Sequence, residues 1–344
     1  MRRIFASVLF LVALSVTALA QVGTPLNQDE SSGRAQLYDL LKRVPTPRAA
    51  AMGNSYVAMK NDPNTLFSNP AALSSQTVRD SSAPGTILSI AASPLGSGIT
   101  QGSIVFSAPE ETLGEHNWVA VGILYNSYGT FQGADNVGQL TNEFSAGDFI
   151  LSAAYSGIIP DKPFHYGVAV KFISSSLASG VAGVKGSSAL AADLGLYYQN
   201  DPLLLTVGLS ATNIGKQLTY YTDGSQEALP FNLQLGVSKK LERLPLTVHL
   251  TFHNLSRDRE GRNLFYALND FSIGGEFILS KLMRFRFGYE NQERRDLKVP
   301  EGLGLGGFSF GLGFVTKKLQ LDYSLSPMGP VKADIHRFGG SYQF

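Results

Sequence analysis

The sequence predicts an all-β fold: a 14-stranded antiparallel transmembrane β-barrel with an N-terminal plug segment. Three observations lead to it. From Gly85 onward the chain is built of short runs in which apolar and polar residues alternate, the period-two pattern of strands that face lipid on one side. The connectors between these runs alternate in length. Charged residues make up 16% of the chain, below the roughly one quarter of a soluble protein, yet its body holds no apolar stretch of the ~20 residues that a membrane helix needs.

The last run, Ile335 to Phe344, shows the pattern clearly. Phe338, Tyr342 and Phe344 share one face of an extended strand, and Arg337, Ser341 and Gln343 the other. On this stretch alone, the final strand of a soluble sandwich fits equally well. The connectors separate the two, because a membrane barrel has short periplasmic turns and longer outer loops, and a sandwich has no reason to sort them. After the first hairpin, long connectors fall near 127–145, 177–186, 213–229, 255–269 and 292–302. Short ones fall at 157–163, 200–202, 240–244, 280–281 and 315–317.

Taken in order, residues 1–20 read as a secretory signal peptide: Arg2 and Arg3, an apolar run from Ile4 to Leu14, then Ala18-Leu19-Ala20 before Gln21. A retained anchor is the alternative, and Ser7, Ser15 and Thr17 weaken it. Residues 21–80 do not alternate. Leu37 to Leu41 suggests one helical turn, stopped by Pro45 and Pro47. Asn61-Asp62-Pro63-Asn64 and Asn69-Pro70-Ala71-Ala72-Leu73 mark tight turns. A linker or a plug folded into the barrel would each fit; the small apolar residues beside Leu66, Phe67 and Leu73 favour the plug.

Residues 81–344 form the barrel, with runs near 85–92, 99–107, 117–126, 146–156, 164–176, 187–199, 203–212, 230–239, 245–254, 270–279, 282–291, 303–314, 318–326 and 335–344. Tyr166, Val168, Val170 and Phe172 share a face, as do Leu190, Ala192, Leu194 and Leu196. Met283, Phe285, Phe287 and Tyr289 oppose Arg284, Arg286 and Glu290. Val207 and Leu235 should meet lipid, while Thr206 and Gln234 face a lumen with room for larger side chains.

Catalytic chemistry finds little support. Gly302 to Gly307 contains GxGxxG, but it opens a strand run, not the strand–helix turn that a dinucleotide site requires. His249 and His253 sit four apart, which on a strand is ~13 Å and too far to share a metal ion. No SxxK or GxSxG nucleophile motif occurs. The chain has no Cys, so thiol catalysis, thiolate metal sites, disulfides and a lipoprotein anchor are excluded. A net charge of +1 provides no field for nucleic acid. No enzyme activity, cofactor or metal is expected. Lys171, Asp193, His249, His253, Glu276, Arg284, Arg286, Glu290, Lys318 and Asp322 face inward and form a polar lumen set, paired with one another and the plug or lining a transport path.

The long connectors carry Tyr128, Phe131, Tyr220, Tyr221, Phe265 and Tyr266, with Arg257, Arg259 and Arg262 among them. Aromatics there either anchor a protein partner or join the membrane girdle. Tyr220, Tyr221, Phe265 and Tyr266 are the candidate partner contacts.

Two groups of residues carry a family resemblance. Ala51-Met52-Gly53-Asn54, Asp62-Pro63 and Phe67 to Leu73, with Asn69, Pro70 and Ala71 at its centre, resemble the plug region of FadL-like barrels, including the PorV/PorQ family. Tyr128 to Phe131, Phe144 to Asp148, Val170 to Leu177, Asn213 to Leu218, Leu229 to Phe231, Gln234 to Leu241 and Arg286 to Tyr289 resemble the PorV/PorQ family in order and spacing. The resemblance implies a non-enzymatic outer-membrane component of the type IX secretion system, a scaffold beside PorU, PorV and PorZ in the cell-surface attachment complex. Tyr342 and Phe344 resemble a barrel-assembly signal. The other expectation is a FadL-like channel for hydrophobic small molecules.

Overall fold

The computed structural model describes residues 39–42, 46–77, 85–96, 98–110, 117–134, 137–179, 186–221, 228–256, 268–297, 304–327 and 334–344. The expected signal peptide lies outside these residues. Fourteen antiparallel strands close into one barrel, each paired with its sequence neighbours. They are β1 (Ile87–Gly96), β2 (Ile99–Glu110), β3 (Asn117–Ala134), β4 (Leu140–Ile158), β5 (Phe164–Ser179), β6 (Ser187–Asn200), β7 (Leu205–Thr219), β8 (Asn232–Lys240), β9 (Leu246–Phe252), β10 (Phe271–Ile278), β11 (Met283–Glu290), β12 (Phe308–Val315), β13 (Leu319–Ser326) and β14 (Ile335–Gln343). β1 and β14 pair from Ile87↔Gln343 to Ala92↔Phe338 and so close the wall.

Alternation in sequence becomes alternation in space. On β5 and β6 the odd-numbered residues from His165 to Ser175 and from Ser187 to Tyr197 are buried. Val168, Val170, Phe172, Leu190, Leu194 and Leu196 stand on the outside, 38–59% exposed. A continuous apolar outer face would drive association in water; against hydrocarbon it is the stable surface. Among the described residues no helix is long and apolar enough to cross a membrane, so crossing is done by strands.

Two connectors are shorter than their sequence suggests. Within 127–145, β3 continues to Ala134 and β4 starts at Leu140; within 213–229, β7 runs on to Thr219. The β3–β4 extension is mostly exposed on both faces. Where both faces meet water no apolar/polar alternation is required, so the strand leaves no periodic trace. Its pairing persists nonetheless, with Phe131 stacked on its cross-strand partner Phe144 at 5.5 Å between ring centroids. Conversely β12 starts at Phe308, not near 303, because Gly307 turns with φ of 84° against Arg294 of a short helix, α2 (Asn291–Asp296).

Residues 46–77 lie inside the barrel. They form α1 (Pro47–Ala51) and two 3-10 turns, Pro63–Phe67 and Pro70–Ser75. One local rule starts all three: a capping side chain followed by proline at the first helical position. Thr46 Oγ1 accepts from Ala49 N at 3.3 Å, Asp62 Oδ1 from Asn64 N at 2.9 Å, and Asn69 Oδ1 from Ala71 N at 3.2 Å. Met52, Met59, Leu66 and Leu73 of this segment are almost fully buried and join one core with Val105, Trp118, Leu124, Ile150 and Ile173 of the wall.

Inward glycines let the plug approach. A Cβ at Gly208 would overlap Val57 O, and one at Gly288 would overlap the Met52–Gly53 backbone. Glycines also face each other across strands, as Gly167↔Gly195, Gly208↔Gly236 and Gly274↔Gly288, which leaves bare strips on the wall.

Leu194→Arg, on the lipid face at the middle of β6, should cost ~2–4 kcal/mol of folding stability, read by denaturant unfolding in bilayers. Thr206→Arg should be at least as damaging: Thr206 is 4% exposed and its hydroxyl donates to plug Ala58 O at 2.7 Å. The lumen therefore lacks the room expected there. Gly208→Val and Gly288→Val should leave the barrel inserted yet expose residues 46–77 to protease, at ~1–3 kcal/mol each, whereas Gly102→Ala should be neutral.

Candidate functional site

The plugged lumen is the candidate site, and its charged residues fall into separate clusters. The largest joins plug and wall. Arg286 on β11 is 1% exposed; its Nε donates to Glu276 Oε2 of β10 and its Nη1 to Asp322 Oδ1 of β13, both at 2.6 Å. Arg48 of α1 reaches the same Glu276 at 3.4 Å and Asp62 at 3.5 Å, and donates to Lys60 O and Asn61 O. Two guanidiniums thus share three carboxylates in a site removed from water. Such a network holds only while every member is present.

A second cluster lies across the barrel. Lys171 of β5 pairs with Asp193 of β6 at 2.6 Å, with side chains 3% and 0% exposed. The β6–β7 register shifts between Ala192 and Leu194, and Asn213 adopts φ of 62° in the resulting bulge. That conformation directs Asn213 N to Asp193 Oδ1 at 2.8 Å, while Lys171 Nζ donates to Asn213 Oδ1 at 3.0 Å. Glu290 stands apart and accepts from plug Asn54 Nδ2 at 2.7 Å.

The two histidines share nothing. His253 bonds Gln234 at 3.2 Å and Ser272 at 2.9 Å through its two ring nitrogens, whereas His249 is 4% exposed with neither nitrogen bonded. Arg284 does not join the lumen set. It sits beside the β10–β11 turn, and its long side chain carries the guanidinium out to Ser280 O and Met283 O. Lys318 is likewise exposed at a turn.

Of the plug motif, Asn69 does most. Besides capping, its amide donates to Val57 O at 3.0 Å and to Leu196 O of β6 at 3.3 Å. Pro70 and Ala71 press against Gly167. Ser74 shares contacts with Ser156 Oγ at 2.9 Å and His165 Nδ1 at 2.8 Å. At the short-turn end Lys60 bonds Asp201 at 2.8 Å, and this bond, with the one from Gln199, holds the Asp201 carboxyl below its usual range. The contacts of Arg48, Lys60, Ser74 and His165 escape sequence reasoning because each joins groups distant along the chain. Only the Asx-Pro caps flag the segment that carries most of them.

Two cavities border the plug. One, about 20 Å³, lies beside Arg48, Asp62 and Asp322 and is no larger than a single water molecule needs. The other, about 500 Å³, is a cleft at the short-turn end lined by Ser74, Gln76, His165, Gln199 and Asp201 among others. The small cavity has a mainly polar lining, whereas the cleft, which Ile158, Pro163 and Pro202 also line, is about equally polar and apolar.

The outer aromatics divide. Tyr220 and Tyr221 are half-buried, and Leu229 joins the core. Tyr128 Oη donates to Asp148 Oδ2 at 2.7 Å, which turns it from the outer surface. Phe131 remains 44% exposed. Phe265, Tyr266, Arg257, Arg259 and Arg262 lie outside the described residues. Tyr342 and Phe344 stand on the lipid side, edge to face at 5.0 Å.

No protein-family model matches the sequence, and no curated protein does. Solved structures match the fold. The Ralstonia pickettii toluene transporter TbuX is 15% identical, over 87% of this chain and 98% of its own, with a TM-score of 0.54. The CymD monoaromatic hydrocarbon channel is 12% identical over 88% and 98%, also at 0.54. A Pseudomonas aeruginosa FadL homologue is 12% identical over 87% and 98%, at 0.50. The chain has the fold of the FadL-type outer-membrane β-barrels.

Arg286→Met should cost ~3–5 kcal/mol by leaving Asp322 buried without a cation and Glu276 with only the longer contact to Arg48. Arg286→Lys should fall between, since an ammonium cannot span two carboxylates as the guanidinium fork does. Denaturant titration of the reconstituted barrel reads both.

Proposed function

We propose that this barrel is a non-conducting scaffold of the outer membrane, anchoring the cell-surface attachment complex of the type IX secretion system beside PorU, PorV and PorZ. The carrying observation is the state of the lumen. The plug is bonded to wall strands from β1 to β12, by Asn64 to Ser89, Ser74 to Ser156, Thr206 to Ala58, Arg48 to Glu276 and Gly53 to Ser309. A segment fixed at so many points costs much to displace, which suits a structural part better than a gate. The motif resemblance to the PorV/PorQ family supplies the particular complex. The β3–β4 extension, with Phe131, Val137 and Leu140 exposed at 44%, 75% and 76%, offers apolar surface to a partner.

A second reading, a channel for small hydrophobic molecules, is favoured by the comparisons: TbuX is a toluene transporter and CymD a monoaromatic hydrocarbon channel. At 12–15% identity these likenesses carry architecture. The plug packed into the lumen weighs against a pocket there of the kind that binds such solutes.

Replacing Phe131, Val137 and Leu140 together with Ser should leave the barrel inserted and heat-modifiable. It should also reduce both co-purification of attachment-complex proteins and surface-attached type IX cargo. Liposomes carrying the wild-type barrel should take up a small aromatic hydrocarbon no faster than empty ones. Unchanged attachment together with saturable uptake would overturn the scaffold in favour of the channel.

A further inference from the structure

At the base of the β3–β4 extension, Asp148 is a carboxylate 4% exposed, and among the described residues no cation pairs with it. Its partners are two neutral hydroxyls. Tyr128 Oη donates to Oδ2 at 2.7 Å, and Ser175 Oγ donates to Oδ1. The nearest lysine on β5, Lys171, is committed to Asp193 at 2.6 Å and lies four residues from Ser175, ~13 Å along the strand. A buried negative charge held by neutral donors alone is expensive.

A second, independent feature lies beside it. Asn126 of β3 is the direct cross-strand partner of Asp148, and Asp148 of Ser175. Directly paired residues on one face hold their Cβ atoms about 4.5–5.5 Å apart. Asn126 is only 7% exposed, yet its carbonyl Oδ1 is buried with no hydrogen-bond partner. An acceptor left without a donor next to an unneutralised carboxylate is the wrong arrangement for hydrogen bonding and the right one for a positive ion.

From this juxtaposition we infer that Asn126 and Asp148 hold a hard divalent cation, of which calcium is the best match. The donor set is all oxygen, as such ions require, and no nitrogen or sulfur ligand is offered. A carboxylate has about four lone-pair positions. The Tyr128 and Ser175 hydroxyls occupy one on each oxygen and orient the group, which leaves a lone pair on each for the ion. Asn126 Oδ1 adds a neutral ligand, and water completes the six to eight positions calcium takes. The ion would tie β3 to β4, with Ser175 of β5 holding the carboxylate, where the hairpin leaves the barrel. It needs no assumption about what the protein transports or anchors.

Terbium is a calcium surrogate whose emission is sensitised by a nearby tyrosine, and Tyr128 is in position to act. The full-length barrel in detergent should give saturable terbium emission on tyrosine excitation, displaced by calcium but far less by magnesium. Calcium should also raise its unfolding temperature. Asp148→Asn, which keeps the shape and the hydroxyl contacts, should weaken binding at least tenfold, as should Asn126→Leu. Both variants should still be heat-modifiable. If the folded wild type shows no saturable, calcium-competed emission, or if Asp148→Asn binds as tightly as the wild type, the inference is wrong. In that case the Asn126 amide would be turned to donate to Asp148, and Asn126→Leu would lower stability equally with and without calcium.

Discussion

The fold depends on how close a polypeptide backbone can come to the inside of a barrel wall. From Pro47 onward the plug follows that wall: Pro47 lies against Gly339 of β14, Ala51 against Gly311 of β12, Gly53 against Gly288 of β11, Ala58 against Gly236 of β8, and Ala71 against Gly167 of β5. Each contact exists because the wall residue has no side chain. With even a methyl at these positions the plug could not sit at this depth, and the interior of the wall would have to be filled by its own side chains, as in small barrels, or by water, as in porins. Glycine weakens an isolated strand by entropy and lost packing. Here the packing returns as contact with a second layer, so the sheet and the plug stabilise each other and neither is complete alone.

That mutual dependence explains the placement of charge. A plug held only by apolar contact could slide, since such contact is non-directional. The Arg48–Glu276–Arg286–Asp322 network and the capped turns at Asp62 and Asn69 are directional, and they fix which part of the plug meets which strand. Arg286 serves this purpose because its planar fork meets two carboxylates at once, Glu276 on the adjacent β10 and Asp322 on β13, reached over Gly313 of β12. Buried pairs of this kind add little net stability over apolar packing but much specificity of arrangement. The division of labour is visible across the barrel: β3 to β6 hold the plug mainly through apolar and hydroxyl contacts, and β10 to β13 through charge.

Much of this was legible in the sequence where one physical cause acts over two or three residues. Lipid on one side and plug on the other imposes period two, so β5, β6, β12 and β14 can be read residue by residue. The Asp-Pro and Asn-Pro starts reveal two of the plug's turns because capping is local, whereas Pro47, expected to stop a helical turn, begins one behind the Thr46 cap. The reading fails where the cause is distant or absent. The extension of β3 and β4 sees water on both faces and so carries no pattern. Arg284 alternates correctly with Arg286 yet leaves the lumen, because a long side chain near a turn can choose its solvent. Tyr128 looks like an outer-loop aromatic until Asp148, twenty residues away, is placed beneath it. A lumen with space and a lumen filled by plug also read alike, for both want small or polar residues on the inner face.

The unequal height of the wall bears most directly on function. A strand crosses the bilayer in ~9–11 residues, so the 7–9 residues of β8 to β14 barely suffice. β3 and β4, with 18 and 19, have an excess of roughly eight or nine, which at ~3.3 Å per residue is ~25–30 Å along the strands and, at the usual tilt of a barrel strand, about 20 Å beyond the membrane. An isolated two-stranded ribbon is only marginally stable in water. This one is held at its base by pairing of β4 with β5 as far as Ser145↔Ser179, by the Tyr128–Asp148–Ser175 contacts, and higher up by Phe131 on Phe144. A ribbon that is fastened below and bare above can present a fixed edge to a large partner.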